Sequence, residues 1–171
     1  MTAIEIRSLS ATPKIRELLS EILIEVVANG GSVSFMHPLD LGTAGAFWDD
    51  ALAAAARDER IILGAWDGGV LAGTVTLLLN CPPNQPHRAE IAKLMTRLSH
   101  RGRGVATALM RAVEVLAVKR KRTLLVLDTA LEDGASGLYE RLGFVHAGTI
   151  PDYALKPQGG LTGTMIYFKR I

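Results

Sequence analysis

Hydrophobic and polar positions change rhythm along the chain, and each change marks an element. Residues 3–9 alternate, with Ile4 and Ile6 on one side and Glu5 and Arg7 on the other, which predicts a half-buried strand. Thr12-Pro13 then supplies a helix cap and a proline at the first helical position. From Ile15 onward, Leu18, Leu19, Ile22, Leu23, Val26 and Val27 form the apolar stripe of an amphipathic helix, which Asn29-Gly30-Gly31 stops. An alanine-rich helix is predicted over 43–57, followed by strands over 60–66 and 70–80 joined at Asp67-Gly68-Gly69.

Three prolines in Cys81-Pro82-Pro83-Asn84-Gln85-Pro86 remove strand donors and fix the backbone, so this segment is a loop. Residues 87–98 read as a strand, and 103–119 as a helix with Val105, Leu109, Val113 and Leu116 on one face. The continuously apolar run 124–127 predicts a strand covered on both faces. A short helix carries Leu138, Tyr139 and Leu142 and ends at Gly143; strands over 144–149 and 164–170 follow, separated by a loop over 151–161. The order β-α-α-β-β-β-α-β-α-β-β predicts an α/β fold with helices packed on a central sheet. With no repeat or linker in sight, residues 1–171 are expected to form a single domain.

Composition narrows the class. Apolar residues make up 49% of the 171, charged residues 21%, and the formal net charge is +2, which argues against intrinsic disorder. Aromatics are only 5%, too few for a base-stacking platform along single-stranded nucleic acid. A single cysteine, Cys81, excludes an internal disulfide and suits a reducing, cytoplasmic location. Apolar runs such as 70–79 fall far short of the roughly 20 residues of a membrane span, and no signal peptide opens the chain. The expectation is a soluble protein with no membrane or nucleic-acid partner.

The richest chemistry lies in His100-Arg101-Gly102-Arg103-Gly104-Val105-Ala106, between a strand and a helix. Glycines allow close backbone approach, and the free amides of a helix start, helped by Arg101 and Arg103, suit a phosphate or pyrophosphate. A Rossmann fingerprint would need glycine at Thr107, and a Walker loop needs Gly-Lys-Ser/Thr; neither is present. A second reading is a plain strand-to-helix turn with solvated arginines.

Arg101-Gly102-Arg103-Gly104-Val105-Ala106 resembles the Arg/Gln-x-x-Gly-x-Gly/Ala signature of the GCN5-related N-acetyltransferase (GNAT) superfamily. Gly134-Ala135-Ser136-Gly137-Leu138-Tyr139-Glu140-Arg141-Leu142-Gly143-Phe144 resembles its second hallmark, and the order of elements also matches. More narrowly, Gly30-Gly31-Ser32-Val33-Ser34-Phe35-Met36, Arg88-Ala89-Glu90 with Lys93-Leu94-Met95, and Ile166-Tyr167-Phe168-Lys169 are similar to the tabtoxin-resistance type of acetyltransferase.

The resemblance implies a mixed, mostly antiparallel sheet of about seven strands with about four helices. It implies that acetyl-CoA binds with its pyrophosphate on Arg101, Gly102, Arg103, Gly104, Val105 and Ala106. The pantetheine arm would pair with the strand at Leu94, Met95 and Thr96, where a backbone N–H of Met95 or Thr96 meets the developing oxyanion. A primary amine of a small, amino-acid-like acceptor would attack directly, with Tyr139 as general acid and either Glu90 or Asp128 as base. Asp128 closes the apolar run at the carboxyl end of a strand, where α/β sheets place ligands, and Glu90 interrupts the strand after the proline loop. Strand-end caps or surface ion pairs are the competing reading for both, and a core position is the competing reading for Tyr139.

Phe35, Met36, Trp48, Asp152 and Tyr153 flank loops that the family uses for its acceptor and are candidates to line its pocket, with ordinary core packing the competing reading for Phe35 and Trp48. Glu132 stands where many members carry asparagine. Lys119-Arg120-Lys121-Arg122 falls at a helix C-terminus, where cations oppose the dipole, so a nucleic-acid patch is the weaker reading. His37, His87, His100, His146 and Cys81 share no metal-ligand spacing, so no metal is expected. Two rival functions stay open: acetylation of protein or peptide amines, and a non-catalytic acyl-CoA-binding module. Monomer and homodimer are equally compatible with the sequence.

Overall fold

A computed structural model describes residues 3–171. Its elements are β1 (Glu5–Ser8), α1 (Pro13–Ala28), α2 (Leu41–Ala56), β2 (Arg60–Asp67), β3 (Val70–Leu78), β4 (Arg88–Thr96), a short 3-10 turn (Leu98–His100), α3 (Val105–Lys119), β5 (Leu124–Ala130), α4 (Ser136–Arg141), β6 (Val145–Leu155) and β7 (Leu161–Arg170). The strands form one seven-stranded sheet in the order β1-β2-β3-β4-β5-β7-β6. Only β4 and β5 run parallel; the other pairs are antiparallel.

Local chemistry accounts for the element ends. The Thr12 hydroxyl accepts the Ile15 N–H at 3.1 Å and Pro13 opens α1, as the sequence predicts. The second helix starts earlier than its alanine run suggests, because the Asp40 carboxylate accepts the Thr43 N–H at 2.8 Å. Between β2 and β3, Gly68 and Gly69 take φ of 55° and 91°, the left-handed pair that a tight two-residue hairpin requires.

Two apolar layers sandwich the sheet. On one face, Leu19, Ile22 and Leu23 of α1 pack with Trp48 and Leu52 of α2 over Ile62, Leu71 and Met95. On the other, Leu109, Met110 and Val113 of α3 pack on Ala72, Val75, Leu77, Ile91 and Leu127, joined by Tyr139 and Phe144. Aliphatic and alanine packing fills both layers, as the low aromatic content demands.

Among the boundaries that differ from the sequence expectation, two strand ends differ most. The fifth strand continues through Ala130, so Asp128 lies within it and not at its end. Its polar and small residues, Asp128, Thr129 and Ala130, hide the continuation from an apolar-run criterion. The sixth strand runs through Pro151 to Leu155, where a loop was expected. It lies at the sheet edge, where proline costs no ladder bond, and it absorbs the disruption as a register shift between Ile150 and Ala154. The actual turn is the short segment around Gly159 and Gly160, closed by the Lys156 N–H donating to the Gly160 carbonyl at 2.9 Å.

The functional geometry comes from one interruption. Parallel pairing of β4 with β5 is confined to Arg88–Leu124, Ala89–Leu125 and Glu90–Val126. Beyond it the register of β4 against β3 slips, with Lys93 at φ 54° marking a bulge. Gly73 faces this region, and a Cβ there would stand 2.6 Å from the Met95 carbonyl oxygen and 2.9 Å from a Val105 methyl. Because a backbone atom cannot yield cheaply, Gly73→Ala is expected to cost about 1–3 kcal/mol of folding stability. Urea denaturation would show this as a lower midpoint; an unchanged midpoint would mean that β3 and β4 can separate freely here.

Candidate functional site

Where β4 and β5 part, a cleft of about 760 Å³ opens. One wall is β4 from Ile91 to Thr96, the other β5 from Leu127 to Thr129; the turn before α3, Ser32 and Ser34 also line it. The unpaired side of β4 offers backbone donors and acceptors to an extended ligand, as an edge strand does.

The turn before α3 leaves its backbone amides open. Gly102 and Gly104 take φ of 72° and 80°, and nothing lies within 4 Å of where a Cβ would project from either. Among the described residues, the N–H groups of Gly102, Arg103, Gly104, Val105, Ala106 and Thr107 meet no protein acceptor with hydrogen-bond geometry. Unpaired amides at the positive end of a helix dipole fit a phosphate or pyrophosphate. The residues present therefore suit the pyrophosphate of a coenzyme A ester.

The two arginines of the turn play different parts. Arg101 borders the cleft, whereas Arg103 is absent from its lining and donates to Asp67 at 2.5 Å. Asp67 is buried at the hairpin and also lies 3.5 Å from the His100 Nε2, so it ties the turn to the end of β2. A second tie holds the start of the turn: the Arg97 guanidinium donates to the Leu71 carbonyl, to Glu25 at 2.9 Å and to Glu21 at 2.8 Å, while Glu25 accepts the Leu98 N–H at 2.7 Å.

Tyr139 borders the cleft from α4, with its ring 6.1 Å from that of Phe144 and 5.7 Å from that of Tyr167. Burial pushes its phenol up to about 12, the nearby charges of Asp133 and Asp128 push the same way, and a hydrogen bond with Thr129 opposes them. Asp128, exposed, also borders the cleft, and its Oδ2 accepts the Thr164 hydroxyl at 3.1 Å. Glu90 does not line the cleft; it pairs with Arg88 at 3.3 Å. Of the two carboxylates named from sequence, the fold thus brings Asp128 to Tyr139 and leaves Glu90 beside Arg88. Leu94, Met95, Thr96, Gly102, Gly104, Val105 and Ala106 all line the cleft.

The other sequence candidates divide between the core, the surface and an adjoining cavity. Trp48 is fully buried between α1 and α2, and Phe35 packs edge-on against Phe47 at 5.2 Å. Tyr153 borders a smaller adjoining cavity, and Met36 is exposed. Glu132 pairs with Lys156 at 3.2 Å. In the basic run, Arg120 pairs with Asp58 at 2.6 Å and Arg122 donates to the carbonyls of Pro86, Arg88 and Leu79, which makes these two cations structural. Among the described residues, no helix is long and apolar enough to cross a membrane, and no cluster of His, Cys, Asp or Glu is placed to hold a metal ion.

Two further cleft residues have no role assigned from the sequence. Asp133 has its carboxyl raised by burial, against hydrogen bonding from the Ser32 backbone. Lys93 is a lone cation in the otherwise apolar run Ile91-Ala92-Lys93-Leu94-Met95, a signal present in the sequence but obscured by its location in a strand.

A parted sheet whose gap is bordered by free backbone amides and by titratable groups defines an α/β protein shaped to take an extended, phosphate-bearing ligand. The acetyltransferase (GNAT) family model matches residues 32–144, and the chain belongs to that family. Acetyl-CoA is the acetyl donor the family uses. N-acetyltransferase 8 of Rattus norvegicus is 37% identical over 90 residues, which cover 50% of this chain and 40% of the relative. The chain thus matches well under half the length of that curated relative. An N-acetyltransferase from Staphylococcus aureus Mu50 superposes with a TM-score of 0.83 at 21% identity, covering 99% of each chain. The yncA protein of Salmonella typhimurium, solved with acetyl-CoA, superposes with a TM-score of 0.80 at 17% identity, covering 99% of this chain and 94% of its own.

Because its phenol is raised by burial, Tyr139 contributes stability that is fully present below pH 10 and is lost as pH rises toward 12. In a spectrophotometric titration, the difference between the parent and Tyr139→Phe is expected to develop only near pH 12. A difference centred near 10 would mean that water reaches the phenol freely.

Proposed function

We propose that residues 1–171 act as a single N-acetyltransferase domain that transfers an acetyl group from acetyl-CoA to the primary amine of a small, amino-acid-like molecule. The observation that carries this reading is the cleft itself: free amides from Gly102 to Thr107 border it, and Tyr139 and Asp128 converge where the strands have parted. Acetyl-CoA supplies the activated acetyl thioester. The chain's residues bind it, orient the acceptor and manage charge.

The amides of the turn hold the pyrophosphate, and β4 at Leu94, Met95 and Thr96 pairs with the pantetheine arm. An N–H of Met95 or Thr96 meets the negative charge on the carbonyl oxygen, a contribution usually worth several kcal/mol to the barrier. Asp128 takes the proton that the acceptor ammonium must lose before its nitrogen attacks, directly or through a water. Of the two carboxylates compatible with the sequence, Asp128 is favoured because it lines the cleft and Glu90 does not.

Tyr139 faces the departing sulfur. With its phenol near 12, proton transfer to a thiolate of ordinary pKa, about 8.5, is uphill by roughly 3 to 4 pH units. Tyr139 therefore donates a hydrogen bond as charge develops on sulfur, and the proton shed by the acceptor nitrogen closes the balance. Burial serves this role by keeping the phenol protonated throughout the working pH range.

The narrower likeness to tabtoxin-resistance acetyltransferases supports a free small-molecule amine over a protein one. Thiol release from acetyl-CoA, measured across free amines and peptides, tests the reading; transfer to peptides alone would replace it with protein acetylation. Tyr139→Phe is expected to lower kcat by about 100-fold with the KM for acetyl-CoA changed by less than about threefold. Asp128→Asn is expected to lower kcat by about tenfold or more, whereas Glu90→Gln should leave it near the parent value; the reverse pattern would move the base to Glu90.

A further inference from the structure

Lys93 differs from the cations that brace the fold. Arg97, Arg103 and Arg120 each reach a carboxylate. Among the described residues, the Lys93 ammonium reaches none within ion-pair distance, although it is half-buried in the cleft wall. It donates to the Ser34 hydroxyl at 3.2 Å and lies 5.5 Å from the centre of the Phe47 ring. Burial disfavours its charge, Arg60 adds to that, and Asp128 opposes it from the other strand.

The cleft therefore carries a cation on β4 and an anion on β5, near enough to sense each other and too far apart to pair. A partly desolvated ammonium without a counter-ion is costly, and an incoming anion would recover that cost. The single ammonium beside the Ser34 hydroxyl carries one positive charge, which one carboxylate neutralises and a doubly charged phosphate exceeds. The adjoining cavity of about 100 Å³, bordered by Ser32, Ser34, Asp128, Tyr153 and Thr164, is of a size for a compact side chain.

We propose that Lys93 binds a carboxylate of the acceptor while Asp128 holds its ammonium, so that the enzyme selects zwitterions in which the two groups lie a few bonds apart. The assignment rests on the acetyl-transfer reading above. It makes Lys93 the residue that distinguishes a free amino acid from the same amine with its carboxylate blocked.

The test uses paired acceptors: the common L-amino acids and their carboxamides, which differ in the charge of one group, with thiol release from acetyl-CoA as the readout. The parent enzyme is expected to favour the carboxylate member in kcat/KM by about tenfold or more. In Lys93→Met this ratio should fall to within about threefold of unity, and Lys93→Arg should restore part of it. Each ratio is taken within one preparation, so a smaller folded fraction cancels. Equal use of acids and carboxamides by the parent overturns the assignment while leaving acetyl transfer intact. So does an equal loss on both members in Lys93→Met, the pattern of a proton acceptor or a packing residue. Absence of any amine-dependent thiol release overturns the transferase reading and this assignment together.

Discussion

Everything functional in this molecule depends on a sheet that fails to stay paired. After three paired positions, β4 and β5 separate, and the backbone that would have bridged them is left open along one side. An open strand inside a folded protein normally carries a penalty for unmet polar groups. Here the gap is tolerated because neither strand is left isolated: β3 continues to brace β4 and β7 continues to brace β5. The bulge at Lys93 absorbs the mismatch, and Gly73 lets the neighbouring strand approach the displaced carbonyl closely.

Charge is distributed according to the same plan. Two cations near the cleft hold its edges: Arg97 links α1 to the end of β4, and Arg103 links the glycine turn to the β2–β3 hairpin through Asp67. Fixed edges matter because backbone amides bind phosphate well only when their directions are set beforehand. The formal net charge of +2 hides this arrangement. A count of basic residues treats all of them alike, while the fold assigns Arg103, Arg120 and Arg122 to structure and leaves Arg101 and Lys93 facing the cleft.

Much of this was legible in the chain because local rules and global fold agree. Period-two alternation, the Thr12-Pro13 cap and the Gly68-Gly69 hairpin each report a backbone state directly, and the order of elements follows. The glycine turn was legible for the same reason, since its chemistry lies in backbone amides at fixed spacing. Side-chain convergence was harder. Glu90 and Asp128 look equivalent as letters, and only the point at which the strands part puts one in the cleft and the other beside Arg88. Lys93 stands in the sequence only as a letter of the narrower resemblance, with no role attached, because strand patterning does not show that a bulge brings it to the cleft. Pro151 misled in the opposite sense: it marks the end of a strand only when that strand is flanked on both sides.

That edge has a consequence for behaviour at high concentration. The sixth strand exposes Ile150, Tyr153 and Leu155 along the sheet's outer border, the composition of a template for uncontrolled growth by strand addition. Pro151 contributes no donor, Asp152 is left-handed at φ 50°, and the register breaks between Ile150 and Ala154. A chain adding here would lose its ladder within a few residues, and at the opposite border β1 offers only four. The irregularity that spoils the reading of β6 as a strand thus acts as a guard against fibril-like stacking.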